Sequence, residues 1–170
     1  MNKPLDFKDY QEDEAQDMGS LNHSIVQTQI AGLLLNDKRF RVMVELSLDV
    51  SQTDLSQFGL KTKEELKPDI CLYSKDQIKA HKSHDVIKMP NMPLLAIEVL
   101  SPKQGINDIL TKFHAYFALN VKSCWLVIPP NESITVYANL DELKLFDKDD
   151  VEIIDKIVDI HLPIQNIFEW

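Results

Sequence analysis

The sequence predicts a mixed α/β domain, and three observations carry the prediction. PLLAIEVLSP, residues Pro93 to Pro102, holds an apolar run of the kind that forms a strand covered on both faces. Two stretches with helical signals, GSLNHSIVQTQIAGLLLND and INDILTKFHAYFALN, lie before and after it. SCWLVIPP and SITVYANL, joined by the turn PPNES, read as a hairpin. Strands with helices before and among them make a central mixed sheet flanked by helices.

The 170 residues suit a single domain, 1–170, with a substantial core. A charged fraction of 26% beside a hydrophobic fraction of 44% is that of an ordinary globular chain and excludes a disordered one. No apolar run approaches the roughly 20 residues that span a bilayer, so no membrane role is expected. Segment 1–18 is acidic and lacks an apolar signal core; it is expected to be a flexible or short helical arm on a cytoplasmic protein. Cys71 and Cys124 fall inside apparent strands and are expected to be reduced, buried thiols. The net charge of −9 argues against a nucleic-acid coating protein. It does not exclude a nuclease, because charges beyond about 8 Å are largely screened at an exposed surface.

The elements follow in order. In the first helix Ser20 is the expected N-cap, with Ile25, Ile30, Leu33 and Leu34 close to one face. FRVMVELSLDV alternates as one half-exposed strand, with Val42, Val44, Leu46 and Leu48 on one side and Glu45, Ser47 and Asp49 on the other. SQTDLSQFGLKTKEEL is a loop or hairpin, KPDICLYS a short strand, and KDQIKAHKSHDVIKMPNM a long polar connection. In the central strand Glu98 shares a face with Ala96 and Leu100, while Leu95, Ile97 and Val99 take the other. After SPKQG, Ile106, Ile109, Leu110, Phe113 and Phe117 form the core stripe of the second helix. Asp108, Lys112 and Tyr116 step down the edge of that stripe, as a solvated ion pair with a boundary tyrosine on the plainer reading. The acidic tail adds one or two strands and ends in a short helical turn at PIQNIFEW.

Glu98 is the residue that this pattern does not explain. An ionised carboxylate on a covered face loses hydration worth several kcal/mol. It needs a cation partner, a metal, or a place where the cover stops.

Pro68-Asp69, then Glu98-Val99-Leu100-Ser101-Pro102, then Asp108, Lys112 and Tyr116 at four-residue steps, then Trp125-Leu126-Val127 form an ordered set. In this set the chain resembles the PD-(D/E)XK, or restriction-endonuclease-like, superfamily, and within it the small single-domain bacterial restriction-endonuclease-like proteins. The resemblance runs over residues 20 to 138 and implies the restriction-endonuclease-like fold. It further implies a metal-dependent endonuclease acting on DNA, in which Asp69, Glu98 and the Val99 carbonyl hold Mg²⁺ or Mn²⁺. The superfamily lysine two residues after the glutamate is Leu100 here. Lys112 is the candidate replacement, and Lys103 the weaker one. His23 matches a histidine that often starts the family's first helix, with an exposed or capping role as the alternative; Glu45 is a supporting candidate. A homodimer cutting two strands is also expected from the resemblance. The rival expectation is a fold that has lost catalysis and serves as a binding or scaffold module.

The loop lysines Lys75, Lys79, Lys82 and Lys88 suit a phosphate backbone, or else a solvated loop. His81-x-x-His84 has no matching Cys or His pair, so zinc is not expected.

Overall fold

The computed structural model describes residues 19–61 and 65–170. The expectation for the arm 1–18 lies outside them. Helix α1 (Leu21–Leu34) starts at Ser20, whose side chain accepts from the His23 amide as a side-chain N-cap. Its buried face is His23, Val26, Ile30, Ala31 and Leu34, so Ile25 and Leu33 are only half-buried flanks of the stripe rather than its centre.

The single strand expected from FRVMVELSLDV is two. β1 (Phe40–Val44) ends where Glu45 takes a left-handed φ of 53°, and β2 (Leu48–Asp49) pairs separately with β3 (Glu65–Leu66). The switch leaves Val44 54% exposed and takes Glu45, Ser47 and Asp49 off any common strand face. β4 (Ile70–Ser74), β5 (Leu95–Val99), β6 (Ser123–Ile128), β7 (Ser133–Tyr137) and β8 (Leu143–Phe146) complete a sheet of order β1-β4-β5-β6-β7-β8. The β5–β6 pair is parallel, connected through helix α2 (Ile106–Ala118); the other pairs are antiparallel, and β6–β7 is the expected hairpin. The tail yields β8 and a further hairpin, β9 (Glu152–Asp155) with β10 (Ile160–Pro163), before a 3-10 turn at Ile164–Asn166.

The alternation expected for β5 holds and divides the core in two. Leu95, Ile97 and Val99 face α1 and the β9–β10 hairpin, with Trp125 and Val127 beside them. Ala96 faces the other layer, where α2 packs Ile109, Phe113 and Tyr116 on the sheet together with Leu48 and Leu66 of the β2–β3 ribbon and Val50 just after β2. Burial of aliphatic and aromatic side chains on both faces, at about 25 cal/mol per Å², is what holds the three layers together. Cys71 and Cys124 are free and flank Ala96 across two strand spacings, roughly 10 Å. No disulfide spans that gap. Among the described residues no helix is long and apolar enough to cross a membrane.

Candidate active site at the ends of β4 and β5

Pro68 is buried and hands the chain into β4, so Asp69 stands at the strand's opening. The antiparallel register pairs Ile70 with Ile97, and one further step brings Asp69 opposite Glu98 on the α2 side of the sheet. Directly opposed residues of such a pair have Cβ atoms about 4.5–5.5 Å apart. The Val99 amide donates to Asp69 Oδ2 at 2.7 Å, which holds the aspartate against the strand that carries Glu98.

Each acid has a supporting set. His23 Nε2 lies 3.2 Å from Asp69 Oδ2, and the ring is 7% exposed, so the exposed alternative for this histidine does not hold. The Asp69 carboxylate raises the His23 pKa against the opposing effect of burial. Gln27, one turn further along α1, donates from Nε2 to the Asp69 carbonyl at 2.8 Å, and the Glu45 amide donates to the same carbonyl at 3.1 Å. Glu98 is 2% exposed. The Tyr116 hydroxyl donates to its Oε1 at 2.7 Å, and Lys112 Nζ stands 3.5 Å from its Oε2. Burial, first of all, pushes the Glu98 carboxyl up to about 7; Lys112 pulls it down and Asp69 pushes it up again.

Tyr116 is therefore fully buried rather than at the boundary, because a carboxylate across the interface accepts its hydroxyl. Ile106, placed in the core stripe, is exposed: it opens the helix where the cover ends. Asp108 caps α2, its Oδ2 accepting from the Gly105 amide at 2.9 Å. Lys103 is exposed in the loop between β5 and α2. Leu100 packs on the core cluster of the α2 side, and its amide donates to the Val127 carbonyl. The Glu45 side chain is exposed, although its backbone abuts Asp69. Gln27 was not foreseen; the signal in the sequence is its i, i+4 spacing from His23.

The donor set suits a hard divalent ion that keeps most of its own water. Among the described residues Asp69 Oδ1 accepts no protein hydrogen bond, and Glu98 Oε2 has only Lys112. Among those residues no group of three or more His, Cys, Asp and Glu side chains gathers into a cage. Two opposed carboxylates fit an ion such as Mg²⁺, which is held by one or two carboxylates, waters and substrate phosphates. The second buried carboxylate among the described residues makes a contrast. Asp155 accepts from Ser123 Oγ and Trp125 Nε1 on one oxygen and from the Ile157 and Val158 amides on the other, so its acceptors are filled.

No curated protein matches the chain. Among solved structures it is similar to one titled as a "putative nuclease belonging to DUF820" from Anabaena variabilis ATCC 29413, with a TM-score of 0.70 at 19% identity, covering 90% of this chain and 83% of that one. At that identity the likeness establishes the fold, which is restriction-endonuclease-like. A family model described as "Uma2: Putative restriction endonuclease" matches residues 9–163, nearly the whole of the chain, and the protein belongs to that family.

Proposed function

We propose that the protein is a metal-dependent endonuclease that hydrolyses phosphodiester bonds in DNA, with Asp69, Glu98 and the Val99 carbonyl as the ligands of Mg²⁺ or Mn²⁺. The observation that carries this reading is the opposition of two carboxylates across β4 and β5, one of them buried, with an ammonium beside it. When bound, such an ion polarises a phosphoryl oxygen and acidifies a water. The chain's own residues prepare the rest. His23 and the Val99 amide fix Asp69 Oδ2, and Gln27 fixes its backbone. Tyr116 fixes Glu98 Oε1. Lys112 is positioned to orient the attacking water and to offset the negative charge that develops on the phosphoryl oxygens. The family membership supports the reaction class, and the family's description as a restriction endonuclease favours DNA as the substrate.

The test is cleavage of plasmid and single-stranded DNA with Mg²⁺ or Mn²⁺, comparing wild type with Asp69→Ala and Glu98→Ala. Loss of cleavage in both variants is expected; unchanged cleavage in both overturns the assignment. Pairing of two copies to cut two strands belongs to the same reading, with sedimentation velocity as its measurement. The cytoplasmic setting also belongs to it, in keeping with two enclosed thiols. A second reading, a binding module that has lost catalysis, is favoured by Leu100, which fills the usual lysine position and packs on the core. It predicts metal uptake or DNA binding without turnover.

A further inference from the structure

A cleft of about 470 Å³ opens on the α2 side of the sheet, between β1 and the connection 75–93, and no role in the preceding reading uses it. Its size is that of a small-molecule site. Its position follows from the register. Met43, in its lining, pairs with Cys71 on β4, the strand that Asp69 precedes, and Leu46, also in the lining, follows the residue whose amide donates to the Asp69 carbonyl. The Met43 and Leu46 end of the cleft therefore lies one strand over from Asp69, while neither carboxylate lines the cleft itself.

Two of its walls are pinned. The Tyr73 hydroxyl donates to the Asn91 carbonyl at 2.6 Å. The Met89 amide donates to the Ser47 carbonyl, while the Met89 carbonyl accepts from the Asp49 amide. The third wall, which carries Val86, is exposed.

The chemistry of the lining is two-sided. Met43, Leu46, Ile78 and Met89 give an apolar floor, with polarizable thioethers at two positions. Arg41, Lys79, His81 and His84 line the same space. Among the described residues Arg41 and Lys79 make no ion pair, on a chain whose net charge is −9. Asp85 is the one acid in the lining, and one of its oxygens is taken by the Val86 amide. A flat apolar body that carries phosphate fits both halves. An unpaired nucleobase slots between apolar side chains, and its phosphates meet the cations.

We propose that this cleft holds an unpaired base of the nucleic-acid strand whose neighbouring phosphate lies at Asp69 and Glu98. The proposal rests on the nuclease reading and narrows it: the substrate is single-stranded or locally unpaired DNA, and the cleft sets which base stands next to the cut.

The test reads binding apart from cleavage, with the full chain in EDTA. The probes are a labelled single-stranded oligonucleotide, the same strand with one abasic position, its fully paired duplex, and a strand carrying 2-aminopurine. The single strand is expected to bind at least tenfold more tightly than the duplex and several-fold more tightly than the abasic strand, with a change in 2-aminopurine emission. Arg41→Ala, Lys79→Ala and Val86→Asp alter exposed side chains and leave the thermal melt in place. Each is expected to weaken binding at least fivefold, and the two cation removals to lower the salt slope by about one each. Equal affinity for duplex and single strand, or three variants that bind like wild type, overturns the proposal. Loss of cleavage in Asp69→Ala together with unchanged binding in Arg41→Ala sinks the cleft and spares the nuclease. Base-dependent binding through Arg41 without cleavage under either divalent ion sinks the nuclease and spares the cleft.

Discussion

Glu98→Gln removes one formal charge from an enclosed position and keeps the side chain's shape. In the metal-free fold, burial pushes the Glu98 carboxyl to about 7 from an ordinary 4.5. A carboxyl whose folded pKa lies above its unfolded one binds its proton more tightly in the fold. Its contribution to stability is therefore complete below about pH 4.5 and is lost as pH rises through about 7. The gap is 7 − 4.5 = 2.5, which at 1.36 kcal/mol per pH unit is about 3 kcal/mol. Glutamine cannot ionise, and its carbonyl still accepts from Tyr116. Lys112, 28% exposed, stays solvated when its partner becomes neutral.

Without metal, the variant and wild type should match in stability near pH 4. Near pH 8.5 the variant should be the more stable by about 2–3 kcal/mol, or several degrees in Tm for a domain of this size. Urea denaturation in EDTA at the two pH values measures this. Excess Mg²⁺ should stabilise wild type by mass action and leave Glu98→Gln unmoved. Cleavage should be lost. A variant less stable than wild type at pH 8.5 would refute the reasoning, because Glu98 would then be a satisfied structural carboxylate.

Asp155→Ala should do the opposite. It strands the Trp125 and Ser123 donors in the core, costs about 3–5 kcal/mol in denaturation experiments, and leaves cleavage per folded molecule unchanged. Tyr116→Phe removes the hydroxyl that holds Glu98 Oε1 and should weaken Mg²⁺ binding, read by calorimetry, about tenfold. Lys112→Ala should reduce the cleavage rate about 10²–10³-fold while the stabilisation by Mg²⁺ persists.

β5 was legible because its periodicity is strict: side-chain alternation alone puts Glu98 on the face opposite Leu95, Ile97 and Val99, and the fold covers that face with α2. The break at Glu45 was not, since glutamate carries no turn signal and alternation runs unbroken through Leu48. That residue holds a left-handed backbone at a cost of about 1–2 kcal/mol. What holds it there is the hydrogen bond that its amide donates to the Asp69 carbonyl at the opening of β4, a tertiary contact. Tyr116 and His23 erred in the same direction. Both have polar tips that read as boundary groups, and both are buried because an acid far away in sequence accepts from them or pairs with them. Asp155 was hidden in an acid-rich tail, where its donors on β6 leave no local trace.

Leu100 poses the sharpest question about where the ammonium belongs. Positions 98 and 100 lie on one face of the chain, so a lysine at 100 would approach Glu98 along the strand. Lys112 arrives instead from α2, one turn before Tyr116, so a single helix supplies both partners of one carboxylate. The packing of Ile109 and Phe113 that seats the helix thereby also seats the ammonium. If only the position of the charge matters, Leu100→Lys should rescue Lys112→Leu. A half-buried site admits a lysine stem whose head reaches polar surroundings. The double variant should regain at least tenfold of the rate lost in Lys112→Leu, with metal uptake unchanged. A double variant that folds and takes up metal but stays at the single variant's rate would mean that the direction of approach from α2, and not the charge alone, orients the water.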